Sequence, residues 1–145
     1  MEGCSLDIIE QVFYNKHEVI YMDIHAYWQA VLRQDREALV SFFREDAWVN
    51  WHCTNEHFTV QEFIQANCEY PGQWDGTLEQ VMELGDQIIT VTHVYSKAGT
   101  LSCHAVSFFR IREGRIQSVE EYWGDDGQPP RWRQEMGIGV PVREK

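Results

Sequence analysis

The first third of the chain carries apolar residues in steps of three and four, which is the spacing of an amphipathic helix. Ile24, Tyr27 and Val31 follow this spacing, and no Gly or Pro occurs over residues 5–34. We therefore predict helix throughout this segment, either as one helix or as two that divide at the polar residues 15–18.

A short helix and a short strand are predicted next. Apolar residues over 36–44 gather on one helical face, and Asp35 precedes them as an N-cap. Asp46 also suits the end of a helix. Residues 47–52 alternate in polarity and contain Trp and Val, which indicates a strand.

A further helix begins at a capping box. Thr59 and Glu62 are three residues apart, so the hydroxyl and the carboxylate can each satisfy a free backbone amide. The helix continues through Phe63 and Ile64, and the Pro-Gly pair at 71–72 ends it.

The second half of the chain changes to a period of two. Its predicted strands cover residues 78–84, 87–96, 100–112 and 115–123. Short turns that contain Gly separate them, which predicts an antiparallel meander. Helices followed by a meander indicate the α+β class, with the helices packed on one face of the sheet. After Trp123 the chain is rich in Gly and Pro, and we expect a loop-like tail.

Composition restricts the class of protein further. The 145 residues are 43% hydrophobic, which suits one domain over residues 1–145. With 23 acidic and 12 basic residues the net charge is −11, so nucleic acids and anionic membranes are poor partners. No apolar run approaches the roughly 18 residues of a membrane helix, and the start has no basic region typical of a secretory signal. We expect a cytoplasmic protein.

Metal and cofactor motifs are weak. The four cysteines include no C-x-x-C pair, so we expect free thiols. An alternative is a zinc site built from His52, Cys53, His57, Cys103 and His104, although their spacing matches no zinc pattern. Neither a P-loop nor a G-x-G-x-x-G motif occurs. We therefore predict no metal and no organic cofactor.

Three passages resemble a known superfamily in their order and spacing. They are Ala26-Tyr27-Trp28, the segment from Gln34 to Val49 with Phe43-Arg44-Glu45-Asp46-Ala47, and the hairpin from Phe108 to Trp123. Together they resemble the first helix, the following helix and strand, and the final hairpin of the nuclear-transport-factor-2-like superfamily. That superfamily includes SnoaL-like polyketide cyclases, ketosteroid isomerases and scytalone dehydratases. The resemblance covers roughly residues 20–125 and leaves out the N-terminal helical extension and the tail.

The resemblance implies a cone: a curved, mainly antiparallel sheet that encloses a cavity, with helices closing one end. It also implies a small-molecule ligand and a homodimer formed through the open face of the sheet. Tyr27 falls on the donor tyrosine of the ketosteroid isomerases, and Ser107 falls near their second donor. Trp51 stands where those enzymes have an aspartate base, so their mechanism loses its base here.

Other residues are candidates to replace that base. Glu121 shares a strand face with Trp123, and the resemblance turns that face inward, where a carboxyl group can act as a general acid or base. The alternative is a glutamate at an edge or a dimer interface, paired with an arginine. His93 and His104 are candidate proton carriers, as the cavity histidines of scytalone dehydratase are. If His104 faces outward, its neighbour Cys103 and Ser107 face inward.

These assignments define two hypotheses for function. In the first, the protein is a cofactor-free acid–base enzyme, of the isomerase, cyclase, dehydratase or hydrolase type, acting on a small apolar organic substrate. Its catalytic residues are Tyr27, His93, His104 and Glu121, and its ligand-binding residues are Trp51, Ser107, Phe109 and Trp123. In the second, a module of the same fold dimerises or senses a ligand without catalysis.

Overall fold

The computed structural model describes residues 22–143, so the predicted helix over residues 5–21 lies outside the described part of the chain. Helix α1 covers Ile24–Arg33, and the side chain of Asp23 caps it by accepting from the amide of Ala26 at 3.0 Å. It ends at Gln34, whose φ of 56° is left-handed. The helix predicted for this region is therefore confirmed over its second part.

Helix α2 covers Arg36–Phe42 and begins at the predicted cap, where Asp35 accepts from the amide of Ala38 at 3.2 Å. Its end was predicted wrongly, because strand β1 (Phe43–Trp51) begins directly after Phe42. Asp46 therefore caps no helix. It lies exposed in β1 and accepts from Gln117 at 3.3 Å.

Strand β2 (Glu56–Thr59) pairs with β1 and was not predicted. Its four residues are mostly polar and exposed, so they carry no alternation that a sequence pattern would detect. The capping box is confirmed: Thr59 and Glu62 exchange bonds of 3.0 and 3.2 Å at the start of helix α3 (Val60–Cys68).

Four long strands complete the sheet: β3 (Trp74–Leu84), β4 (Gln87–Ser96), β5 (Ser102–Arg112) and β6 (Arg115–Asp125). The order across the sheet is β2-β1-β6-β5-β4-β3, and β1–β6 is its parallel pair. Strand β3 begins before its predicted start, at a segment containing Asp75 and Gly76, two residue types that are rare in strands. The predicted α+β class, with a curved and mostly antiparallel sheet, is confirmed.

The tail that was predicted as loop contains a short exposed helix, α4 (Arg131–Glu135). Pro130 is its N-cap, with an extended conformation (φ −61°, ψ 150°). Among the described helices none has the length and apolar character needed to cross a membrane.

The two faces of the sheet differ in what covers them. On the inner face, which carries Thr90, Ser107 and Glu121, every second residue is buried beneath the helices. Helix α1 is held there by the indole of Trp28, which donates to the hydroxyl of Thr90 at 3.1 Å. The outer face, which carries His93 and His104, is only partly buried. Strand alternation therefore decides which residues reach the space under the helices.

Candidate functional site

A cavity of about 270 Å³ lies between α1, α3 and the ends of the strands. Its aromatic lining residues are Trp51, Tyr70, Trp74 and Trp123, and its aliphatic ones include Val31, Leu32 and Val94. Tyr70 is about half exposed, and Thr54 and Asp125 are also exposed, so these residues mark its mouth. The volume is slightly below the roughly 300–1,000 Å³ of typical ligand pockets, which suits a small ligand.

The polar residues of this wall are largely engaged in holding it together. The side chain of Gln34 donates to the carbonyl oxygens of Asn67 and Tyr70 at 2.9 and 2.7 Å. The side chain of Asn67 donates to the carbonyl oxygen of Val31 at 3.1 Å. These bonds join α1 to α3 and to the loop after it, and they leave a wall that is mostly carbon.

Glu121 lies directly behind the tryptophans of the cavity. In the sheet register it stands between Trp51 of β1 and Ser107 of β5, and all three side chains are on the inner face. Its carboxylate accepts from the hydroxyl of Ser107 and from the indole N–H of Trp123, each at 2.6 Å. Only 2% of Glu121 is exposed.

The environment of Glu121 changes its protonation. Burial raises the pKa of this carboxyl group, because charge is disfavoured away from water, and the hydrogen bonds of Ser107 and Trp123 oppose the rise only in part. The indole N–H of Trp51 also favours the charged form, although it is buried and forms no hydrogen bond within the described chain. Glu121 is thus an acid group with a raised pKa and an unpartnered donor nearby.

Tyr27 is packed within the aromatic core. Its ring meets those of Trp28, Phe42, Phe43 and Phe109 edge-on, with centroid distances of 5.3 to 5.9 Å. Burial, and then the charge of Glu121, raise the pKa of its phenol well above the usual range. Tyr27 therefore stays neutral at ordinary pH. It is packed in the core and is not among the residues that line the cavity.

His93 and His104 lie on the opposite face of the sheet from Glu121. They are direct partners across β4 and β5, in line with the outward-facing positions of both strands. An acid–base role together with Glu121 would require them to reach the cavity, and from the outer face they do not. Cys103 and Ser107 face inward, as expected for an outward His104.

The cysteine and histidine set considered for zinc is not brought together, because Cys103 and His104 point to opposite faces. Cys53, Cys68 and Cys103 are free thiols. Cys103 lines the cavity, and burial followed by the charges of Asp125 and Asp126 raises its pKa to about 11. A thiol held in this protonated state is a poor nucleophile.

The structure thus divides the eight predicted site residues into groups, of which His93 and His104 lie on the outer face of the sheet. Trp51 and Trp123 line the cavity, and Glu121 and Ser107 lie bonded behind them. Tyr27 and Phe109 belong to the core.

Sequence reasoning missed Trp74, Tyr70 and Asp125. Asp125 ends β6 in the same phase as Trp123, and this phase predicts its direction. Trp74 begins β3 in a segment that was not predicted as strand, and Tyr70 is in a loop, so neither offers such a signal.

A helix-covered, curved, mostly antiparallel sheet with this cavity defines the cone-shaped α+β class expected from the sequence. The family model described as "SnoaL-like domain" matches residues 24–119, more than half of the chain. The chain belongs to this family, and the superfamily expected from the sequence is confirmed. No curated protein matches the chain in sequence.

Solved structures show the same fold. A candidate ketosteroid isomerase from Kribbella flavida has a TM-score of 0.69 and 22% identity, over 82% of this chain and 87% of that chain. A candidate SnoaL-like polyketide cyclase from Shewanella putrefaciens has a TM-score of 0.58 and 15% identity, over 67% of this chain and 83% of that chain. A protein with a ketosteroid isomerase-like fold from Catenulispora acidiphila, crystallised in complex with trimethylamine, has a TM-score of 0.58 and 17% identity, over 68% of this chain and 82% of that chain.

Proposed function

We propose that this SnoaL-like protein binds a small, largely apolar organic molecule in the tryptophan-lined cavity and exchanges a proton with it through Glu121. The observation that carries the proposal is the 2.6 Å hydrogen bond between Trp123 and Glu121. It joins a buried carboxyl group with a raised pKa to the wall that a ligand would touch. No metal or organic cofactor is needed for this chemistry.

The ligand class follows from the wall. Three indoles and a phenol ring surround the space, and the nearby amides of Gln34 and Asn67 donate to protein carbonyl groups. A molecule of mostly carbon, with one polar group directed at the sheet, matches this lining. The carboxylate of Asp125 at the mouth disfavours anionic ligands, because like charges repel.

The proposed reaction is general acid–base catalysis. A ligand hydroxyl or carbonyl group that replaces the Trp123 contact would reach Glu121 Oε1, while Ser107 keeps holding Oε2. Isomerisation, cyclisation, dehydration and hydrolysis all need such a proton transfer. Tyr27 acts here as a positioning residue whose neutral ring helps keep the carboxyl group dry. Two of the structural neighbours carry names of reactions in this class.

The test combines binding and turnover. Wild-type protein is titrated with a set of cyclic enones, epoxides and hydroxyketones, followed by tryptophan fluorescence and by mass spectrometry of products. We expect Trp74→Leu, in the cavity wall, to weaken binding about tenfold, because it removes aromatic contact area. Trp132→Leu is the control, since Trp132 is 60% exposed on α4.

The turnover arm uses Glu121→Gln with Glu83→Gln, an exposed glutamate, as control. Glu121→Gln should still bind ligand and should lose turnover by about 100-fold or more. If the ligand binds equally well to Glu121→Gln and Glu83→Gln and no product forms with any of the proteins, a ligand-sensing module would be favoured instead. Failure of every compound to bind, or equal binding in the Trp74 and Trp132 variants, would contradict the proposal.

A second proposal concerns the outer face: we infer that it pairs two copies of the chain. Ile89, Val91, Val106 and Phe108 form an apolar stripe there that the described helices do not cover, and Tyr122 beside it is 44% exposed. Partly exposed apolar surface that no helix covers is typical of an interface. The pairing is compatible with both enzymatic and non-enzymatic functions.

A further inference from the structure

A cluster of metal-ligating side chains lies on the outer face, away from the cavity. His93 and His104 are cross-strand partners, and their rings stack at a centroid distance of 4.6 Å with planes 10° apart. Asp126 follows β6 directly and reaches the same place. One ligand atom from each of the three residues lies within 4.8 Å of the other two.

Asp126 bridges the two imidazoles. Its Oδ1 is 2.5 Å from Nδ1 of His104, and its Oδ2 is 3.5 Å from Nε2 of His93. Two imidazole nitrogens and a carboxylate are ligands that Zn²⁺ and other first-row divalent ions prefer, and three protein ligands leave a fourth position for water. The cluster is accessible, because about a third of the side chains of His93 and Asp126 is exposed.

Neighbouring side chains contact two of the three ligands, His104 and Asp126. The guanidinium of Arg143 also approaches, 3.3 Å from Nε2 of His104 and 3.6 Å from Glu79 Oε2. Glu79 Oε1 lies 2.8 Å from Nε2 of His104, so this nitrogen can donate its proton to Glu79 while Nδ1 faces the metal. A carboxylate that fixes a ligating histidine in this way is a regular partner of zinc sites. The hydroxyl of Ser102 donates to Asp126 Oδ2 at 2.6 Å and orients that carboxylate. The same hydroxyl lies 2.8 Å from Nε2 of His93, and a metal ion bound at this nitrogen would replace that contact.

We propose that His93 Nε2, His104 Nδ1 and the Asp126 carboxylate bind one divalent transition metal ion, with Glu79 as a positioning residue. On binding, the three ligand atoms draw closer, because metal–ligand bonds of about 2.0–2.2 Å place them roughly 3.4 Å apart. The stacked rings tilt, since a nitrogen lone pair lies in the plane of its ring. The ion ties β4 and β5 to the start of the C-terminal segment.

The experiment uses the full chain without a histidine tag, stripped with chelator and titrated with zinc chloride by calorimetry. We expect one Zn²⁺ per chain and a raised midpoint of thermal unfolding. His104→Asn and His93→Asn should each weaken binding about 100-fold, and Glu79→Gln about tenfold. His57→Asn is the matched control, because His57 lies on strand β2 and bonds to Asn50 instead.

Cobalt provides a readout that does not depend on stability. Co²⁺ added to the wild type should give visible absorption bands of a site with nitrogen and oxygen ligands, and these bands should be absent in His104→Asn. Circular dichroism confirms that each variant is folded. Unchanged zinc affinity in His104→Asn, equal loss in His57→Asn, or one ion shared by two chains would each overturn the proposal.

Discussion

The buried environment of Glu121 raises the pKa of its carboxyl group above the usual value for glutamate. Its two hydrogen-bond partners, Ser107 and Trp123, are neutral, and burial opposes its charge. The folded protein therefore binds the proton of Glu121 more tightly than the unfolded chain does. By linkage, Glu121 stabilises the fold at low pH, and this contribution is lost as the pH rises through the raised pKa.

Replacing Glu121 should expose this linkage. Glu121→Gln removes the titration, so the free energy of unfolding of the wild type, relative to the variant, should fall as pH rises from 4.5, the usual Glu value. The slope should be about 1.4 kcal/mol per pH unit until the pKa of the folded state is passed. Urea unfolding between pH 4.5 and 8 measures it.

Glu83→Gln, at an exposed position, provides the comparison for this experiment, and its curve should run parallel to that of the wild type. A difference between wild type and Glu121→Gln that stays constant with pH would place the pKa of Glu121 at its ordinary value.

At the scale of elements, the packing of α1 against β3 depends on one glycine. A Cβ added at Gly76 would lie 2.5 Å from the carbonyl oxygen of His93 and 3.2 Å from a methyl group of Leu32. The first contact is with backbone of the paired strand, which cannot rotate away. The glycine therefore allows β3 and β4 to stay paired beneath the helix.

Gly76→Ala should lower the free energy of unfolding by about 1–3 kcal/mol, because overpacking displaces the strand or the helix. Gly124→Ala is the matched control in β6, where an added Cβ would meet nothing within 4 Å, and it should change stability by less than about 0.5 kcal/mol. Urea unfolding of both variants measures the contrast. Equal effects would show that close approach at Gly76 is tolerated.

Elements with local signals were predictable from the sequence, and those without were not. The side chain of Asp35 accepts from the backbone amide three residues on, and Thr59 exchanges bonds with Glu62, so both caps depend on local sequence and were predicted from it. Strand β2 and the start of β3 pair through residues with little strand preference, so their partners decide their structure.

The candidate site was also predictable only in part, where strand alternation gave a clear signal. Period two placed Glu121 and Trp123 on one face correctly. In β4 both faces are largely apolar, with Ile88 and Val94 on one and Ile89 and Val91 on the other, so alternation could not orient His93. The histidine cluster on the outer face also needs Glu79 and Asp126, which are distant in sequence from the pair.

At the scale of the whole molecule, the uncovered stripe on the outer face predicts the oligomeric state. Phe108→Glu should convert a dimer into a monomer, because a twofold interface would bury the new charge without a partner. Light scattering after gel filtration gives the mass of each species. Val40→Glu on α2, at a position 56% exposed on the helical side, should remain dimeric. A monomeric wild type, or a dimeric Phe108→Glu, would contradict the pairing.

The parallel pair of β1 and β6 has a consequence for how the chain folds while the ribosome is still synthesising it. Asn50 and Glu120, which bond across this pair, are 70 positions apart in the chain. At a synthesis rate of about 5–20 residues per second, β1 emerges roughly 4–14 s before its partner. During that interval the indole of Trp51 has no Glu121 beside it, and the apolar side of β1 is open to chaperones or to other nascent chains. The cavity can close only after the last long strand has been made.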